Sequence, residues 1–214
     1  MATRVLGVLA GEDQDVGDLV RWARSAEVVL AADSAADRLL EGGITPHRIV
    51  GDMDSASPAA LASGAELIRD DDVHRSDCDK LLDHAWRSGW KQITLAGIEG
   101  DRLDHLLAAL LSAARSPLEI RLALRDGTGL LVREGGESVV GARVGQLVSL
   151  LPIGGPCRAT LTGVRWPVSD AEFGPTGTWS LSNEAVEECV SAHVHLGCAL
   201  LVLGGPPDEA LPWP

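Results

Sequence analysis

No run of apolar residues in this chain approaches the roughly 20 needed to cross a bilayer, so no membrane span is expected. Basic side chains are scarce: 18 Lys and Arg face 31 Asp and Glu, for a formal charge of −13. A nucleic-acid groove or a patch for anionic lipid needs a positive surface, so neither partner is expected. The four cysteines (78, 157, 189 and 198) form no Cys-x-x-Cys pair and are too sparse for a disulfide scaffold. They read as reduced thiols of a cytoplasmic protein. Neither Gly-x-x-x-x-Gly-Lys-Ser/Thr nor Gly-x-Gly-x-x-Gly occurs, which removes the main support for a Walker-type or ordinary dinucleotide site. There is no internal repeat and no low-complexity tract. The apolar stretch Val5–Ala10 is short for a signal peptide, and the Gly11-Glu12-Asp13 that follows suits a strand running into a loop.

What remains is a 214-residue chain, 45% hydrophobic, long enough to bury about 70% of its extended surface. Its first ~125 residues alternate β-type apolar runs with helical patterns. Strands are expected at Arg4–Ala10, Glu27–Asp33, Arg48–Gly51, Ala65–Arg69, Gln92–Gly97 and Glu119–Leu124. Between them Val16, Leu19, Val20 and Ala23, and then Leu81, Leu82, Ala85 and Trp86, recur at helical spacing. Ser57-Pro58 reads as an N-cap followed by Pro at the first helical position, and Ser76-Asp77-Cys78-Asp79 as a capping box. Such alternation implies a mainly parallel sheet flanked by helices.

From about Asp126 glycine becomes frequent and short alternating segments replace the helices: Gln146–Pro152, Arg158–Val164, Thr178–Ser182, Glu188–Leu196 and Ala199–Leu203. These predict a C-terminal antiparallel β-sandwich, or a barrel. The expected organisation is an α/β domain over 1–130 and a sandwich over 131–214. The junction is expected near Asp126-Gly127-Thr128-Gly129 or Gly135-Gly136, and the Pro-rich tail 204–214 is expected to be irregular.

Ligands of open parallel sheets bind beyond the C-terminal strand ends. Asp33 ends one expected strand, Asp52 and Asp54 follow another, and Asp77 follows a third after a short acidic loop. An Asp-x-Asp loop can direct two carboxylates to one hard cation such as Mg²⁺, which takes carboxylates, waters and phosphate oxygens. Turn and cap roles account for the same two residues equally simply. Gly97-Ile98-Glu99-Gly100-Asp101-Arg102-Leu103-Asp104-His105 follows the next strand and opens a helix over Leu106–Ala114. Small residues, a helix N-terminus and the Arg102 fork suit phosphate, while a turn with Asp104 as cap is the plainer alternative. Lys80, a turn beyond Asp77, reads as an exposed helix lysine or a phosphate contact. His193 and His195 share a strand face with Cys189 and Ser191. No third and fourth zinc ligand is evident there, so a polar strand face is the simpler account.

Taken in order, these segments resemble the thiamine pyrophosphokinase family. The matching stretches are Ala32-Asp33 with Ala36-Asp37-Arg38-Leu39-Leu40; Gly51-Asp52-Met53-Asp54-Ser55; Ser76-Asp77 with Lys80-Leu81-Leu82; and Gly97 to His105. In the second half come Gly163-Val164-Arg165-Trp166-Pro167 and Leu181-Ser182-Asn183-Glu184. The resemblance implies transfer of diphosphate from ATP to the hydroxyethyl group of thiamine, with Mg²⁺, in a homodimer whose active sites lie between subunits. It implies metal and catalytic roles for Asp52, Asp54 and Asp77, and a nucleotide side comprising Asp33, Lys80, Arg102, Asp104 and His105. Trp166 matches the aromatic that stacks on thiamine, and Ser182 and Asn183 match the thiamine-side loop. A Trp face offers a cationic aromatic such as thiamine about 0.5–2 kcal/mol of cation–π contact.

Four positions depart from the family pattern, all on the nucleotide side. Ser34-Ala35-Ala36-Asp37 stands for Gly-Gly-Ala-Asn, His74 for an Asp, Asp101 for a Gly, and Gly11-Glu12 for a Gly pair. They leave open diphosphate transfer to another hydroxyalkyl heterocycle, or a non-catalytic nucleotide- or thiamine-binding regulator. A glycosyltransferase with an Asp-x-Asp metal site would not account for the Trp-Pro and Ser-Asn-Glu segments.

Overall fold

The computed structural model describes residues 2–12, 14–100, 102–174 and 176–205; Asp101 and the tail beyond 205 lie outside the described residues. By contact the chain divides into two units between Arg125 and Asp126.

The first unit alternates strand and helix throughout. β1 (Val5–Val8) leads through α1 (Val16–Ser25) to β2 (Val28–Ala32), and α2 (Ala35–Glu41) leads to β3 (Arg48–Gly51). The short α3 (Pro58–Leu61), β4 (Glu66–Arg69), α4 (Asp77–Arg87), β5 (Gln92–Ala96), α5 (Leu103–Arg115) and β6 (Glu119–Leu124) complete it. All the strand pairs are parallel, in the order β6-β5-β1-β2-β3-β4. Buried on both faces, the central strands read as unbroken apolar runs, as in Val29-Leu30-Ala31-Ala32. Leu6, Val8, Val29 and Ala31 pack with Leu19, Trp22 and Ala23 of α1 and Ala35, Ala36 and Leu39 of α2. α4 covers β2 and β3 and packs on α5.

The caps fall where the sequence places them. Ser57 accepts from Ala60 N–H at 3.1 Å, and Ser76 and Asp79 form a reciprocal capping box at the start of α4. Asp33, Asp52 and Asp54 all follow the C-terminal ends of β2 and β3. Strand order reverses between β1 and β5, and their outgoing loops are tied together: Gly11 N–H donates to Gly97 O at 2.8 Å. Arg38 of α2 holds the same β1–α1 loop, its guanidinium donating to the carbonyls of Gly11, Glu12 and Gln14.

The second unit contains β7 (Gly127–Arg133), β8 (Glu137–Gly141), β9 (Leu147–Pro152), β10 (Cys157–Thr162), β11 (Val168–Phe173), β12 (Ser180–Glu184), β13 (Cys189–Leu196) and β14 (Cys198–Gly204). They pair antiparallel as β12-β9-β14-β7 and as β11-β10-β13-β8. Inward residues of both layers, among them Leu130, Val148, Leu150, Leu161, Phe173, Val190, Val194 and Leu201, make one core. This is the expected sandwich. The segment Asp126-Gly127-Thr128-Gly129, expected near the junction for its turn composition, is not a loop: residues 127–129 begin β7, which pairs with β14 from Gly127↔Gly204 to Arg133↔Cys198. Gly135, at φ +74, is the turn between β7 and β8. Trp22 is fully buried in the core. Trp86 is half exposed beneath Lys91, and Trp90 lies beside Arg48 and His84.

Gly97 sits at φ +69, and a Cβ there would lie 2.1 Å from the Leu9 carbonyl oxygen. Gly97→Ala is therefore expected to cost about 2–4 kcal/mol, combining left-handed strain with a backbone clash. Chemical denaturation of the two proteins side by side checks this.

Candidate active site

The acidic groups converge. Asp33, Asp52 and Asp54 each offer a carboxylate oxygen within 4.8 Å of the others, the one such cluster of three among the described residues. Two unusual backbone conformations place them: Asp33 at φ +44 and Met53 at φ +70. Non-glycine residues occupy this region at a cost of about 1–3 kcal/mol and gather at functional sites. Asp33 is 1% exposed, and neither of its carboxylate oxygens has a hydrogen-bond partner among the described residues. Burial pushes its carboxyl above the usual range. Ser55 lies close enough to oppose that shift without making a well-formed bond, and the Asp77 charge adds to it.

Lys80 is not an exposed helix lysine. Its side chain is 2% exposed, with Nζ 3.2 Å from Asp52 Oδ2 and 3.5 Å from Asp77 Oδ1. Burial alone would lower its pKa, but Asp52 and Asp77 outweigh that and raise it. Asp52 is held low, first by the Asp54 N–H and then by Lys80. Asp77, the first residue of α4, is half exposed. Its carboxyl is raised by partial burial, with Lys80 opposing and the charges of Asp52 and Asp54 reinforcing. Thus Asp77 joins the cluster through Lys80, while Asp33, expected on the nucleotide side, stands among the prospective metal ligands.

The loop carrying Asp52 and Asp54 is fastened at both ends. Lys80 grips its start. At its far end Asp37 accepts from Ser57 N–H at 3.0 Å and from the Ser57 hydroxyl, and that hydroxyl caps α3. Arg102 and Asp104 form a forked pair on the first turn of α5, Nη2 to Oδ2 at 2.7 Å, and Arg102 holds the Asp104 carboxyl low. Both are well exposed, and His105 is exposed on the same turn. His74 and the Asp70-Asp71-Asp72 run lie on an outer loop, with Asp70 paired to Arg75 and Asp71 to Arg69.

In the second unit Trp166 presents an indole that is 60% exposed, with the Arg165 guanidinium 5.7 Å from its ring centroid. Arg165 is itself tethered to Glu184 at 2.8 Å. Gly163 allows this connection: at φ +77, its Cβ position would fall 2.1 Å from the Cys189 carbonyl oxygen. Ser182 sits at φ +51 in a register shift between β12 and β9, which turns Leu181 and Ser182 outward and Asn183 inward. Trp179 is 53% exposed, so it does not fill the sandwich. His193 and His195 stack at 4.4 Å on the open face of β13. His195 bonds Thr160 at 2.8 Å, consistent with a polar strand face.

A family model described as thiamin pyrophosphokinase, catalytic domain, matches residues 19–123. A second, thiamin pyrophosphokinase, vitamin B1 binding domain, matches residues 137–201. A curated thiamine pyrophosphokinase of Bacillus subtilis is 23% identical over 193 residues, covering 86% of this chain and 90% of that protein. Among solved structures, a thiamine pyrophosphokinase of Bacillus subtilis superposes with a TM-score of 0.77 at 22% identity, covering 94% of this chain and 99% of that one. The yeast thiamin pyrophosphokinase gives 0.79 at 16% identity, covering 98% and 88%.

Three carboxylates this close repel one another, and the one with least solvent lacks a donor, so the donor set fits a hard divalent cation. A carboxyl raised in the folded state stabilises it fully below its unfolded value and loses that contribution as pH rises through the raised value. Without metal, stability is therefore expected to fall as pH rises above about 4, the ordinary aspartate range, as Asp33 and Asp77 ionise. Added Mg²⁺ should raise the melting temperature increasingly over the same interval. Asp33→Asn should raise the metal-free melting temperature and abolish most of the Mg²⁺ increment, both read by thermal melts with and without the ion. An Mg²⁺ response equal to that of the unmutated chain would remove Asp33 from the site.

Proposed function

The chain belongs to the thiamine pyrophosphokinase family, and from that premise we propose that it transfers the terminal diphosphate of ATP to the hydroxyethyl group of thiamine, giving thiamine diphosphate and AMP. The observation that carries the mechanism is the convergence of Asp33, Asp52 and Asp54, with Asp77 joined through Lys80.

Asp52 and Asp54, with Asp33 behind them, would hold Mg²⁺. The ion would neutralise the carboxylates toward the polyphosphate and stabilise charge developing on its oxygens. The thiamine hydroxyl oxygen forms a bond to the β-phosphorus of ATP, and the bond from that phosphorus to the oxygen retained by AMP breaks. Asp77, at the rim of the cluster, orients the hydroxyl and takes its proton. Lys80 keeps Asp52 and Asp77 charged and in place. Arg102, beside Asp104 and His105 at the start of α5, is exposed and suited to forking onto phosphate. As in other phosphoryl transfers, positioning and electrostatics supply most of the rate.

On the substrate side, Trp166 offers its exposed indole face to the cationic thiamine rings, with Ser182 on the neighbouring outward bend. The catalytic domain, expected over 1–130, and the thiamine-binding domain, expected over 131–214, together supply both substrates' contacts. A homodimer, with active sites between subunits, is part of this reading. Leu103, Leu107 and Leu111 form an exposed apolar stripe along α5, the kind of face a subunit contact covers. A cytoplasmic location is part of this reading, and no helix among the described residues is long and apolar enough to cross a membrane.

The direct test incubates purified protein with ATP, Mg²⁺ and thiamine and quantifies products. AMP and thiamine diphosphate should appear in equal amounts. ADP instead would indicate ordinary single-phosphoryl transfer, and thiamine binding without turnover would indicate a regulator. Asp54→Asn is expected to cut turnover by about two orders of magnitude or more, the range for losing a key electrostatic group. Its melting temperature should change little, since Asp54 is exposed. A large loss of stability with activity preserved would make Asp54 structural.

A further inference from the structure

Asn183 is 3% exposed, and its amide makes four hydrogen bonds. Oδ1 accepts from Trp166 N–H at 3.1 Å and from Glu184 N–H at 2.9 Å. Nδ2 donates to Trp166 O at 2.9 Å and to Ser180 Oγ at 3.2 Å. Two donors and two acceptor lone pairs are the full capacity of a carboxamide. Nothing is left with which this side chain could bind a substrate. Instead, it pairs with both polar groups of one residue's backbone, as a neighbouring strand would.

That residue is the most exposed tryptophan among the described residues. A Trp that is 60% in solvent has few side-chain neighbours to fix it, so the placement of its ring depends on its backbone. The other restraints on Trp166 act on the same backbone. Pro167 follows it and confines the preceding residue to extended conformations. On its other side, Arg165 N–H donates to Glu184 O at 2.8 Å. The register shift that turns Ser182 outward is what brings Asn183 inward to complete the clamp.

We propose that Asn183 is a positioning residue, fixing Trp166 in its stacking pose through the Trp166 backbone and making no contact with thiamine. The inference rests on the reading of Trp166 as the thiamine platform. Asn183→Asp keeps the size and the acceptor but loses both donors, one of which faces the Trp166 carbonyl. Leaving that carbonyl unpaired and facing a carboxylate should raise KM for thiamine about tenfold or more. The KM for ATP and the Mg²⁺-dependent melting increment should stay unchanged, and kcat should stay within about threefold. The deciding measurement is the double-mutant cycle: in a Trp166→Ala background the same change should alter the thiamine KM less than about twofold. Asn183→Ser, smaller and uncharged, serves as a parallel variant should the aspartate prevent folding.

A thiamine effect that persists in the Trp166→Ala background overturns the proposal, because Asn183 would then touch the substrate. Equal weakening of ATP and thiamine also overturns it and makes the residue a general structural support. If Trp166→Ala leaves the thiamine KM unaltered, the platform reading itself fails. If Trp166→Ala raises it and neither Asn183 variant does, only the clamp fails.

Discussion

Mutual repulsion among carboxylates is the constraint around which the first unit is organised. Asp33, Asp52 and Asp54 are brought within 4.8 Å of one another, and Asp77 stands close enough for its charge to raise Asp33. A chain free to relax would separate them, because like charges at this range destabilise the folded state. They are held by rigid elements on every side. β2 and β3 deliver Asp33 and Asp52 from adjacent parallel strands, and α4 delivers Asp77 and Lys80 together from its first turn. Lys80 supplies a compensating charge within the cluster, bridging Asp52 and Asp77. Asp33 is the buried member, its carboxylate oxygens without a hydrogen-bond partner among the described residues, where a cation gains most from binding.

Much of this was legible in the sequence because it follows from local rules. Apolar runs such as Val28–Ala32 mark parallel strands covered on both faces. The Ser57 and Ser76 caps announce the helices after the acidic loops. What escaped depends on tertiary contact. Gly127-Thr128-Gly129 has turn composition, and only pairing with β14 makes it strand. β8 and β11 lie at the edges of their layer, where alternation is weak; Asp170 in β11 sits at φ +49 next to a register shift. The site shows the same division. That carboxylates would gather at strand ends could be read from position, whereas the burial of Lys80 could not, because helical spacing leaves its face undetermined. Nor could the saturation of the Asn183 amide, since its partners Trp166 and Ser180 are fixed only once the β12 bulge forms.

The residues at φ > 0 other than glycine sharpen the contrast between scaffold and site. Among the described residues they are Asp33, Met53, Asp170 and Ser182. Asp33 is a prospective metal ligand, Met53 separates two others, and Ser182 marks the bend that turns Asn183 inward. Strain of this kind persists only where surrounding structure over-determines it. Here the restraints are visible: the Lys80 and Asp37 anchors on the Asp52–Ser57 loop, and the Ser149 hydroxyl accepting from Ser182 N–H at 3.0 Å.

The departures from the family pattern acquire a local logic in the same way. Where Gly-Gly-Ala-Asn is usual, Ala35 and Ala36 are fully buried in the core between α2 and the sheet, and a larger side chain would not fit. Asp37 receives two hydrogen bonds, and Ser57 donates both, one from its backbone and one from its hydroxyl. An amide at this position would turn its NH₂ toward one of those donors unless the Ser57 hydroxyl reversed its own bond. A carboxylate accepts both without rearrangement, and the hydroxyl keeps its lone pairs for the cap on α3. The substitution thus stiffens the far end of the loop that carries Asp52 and Asp54.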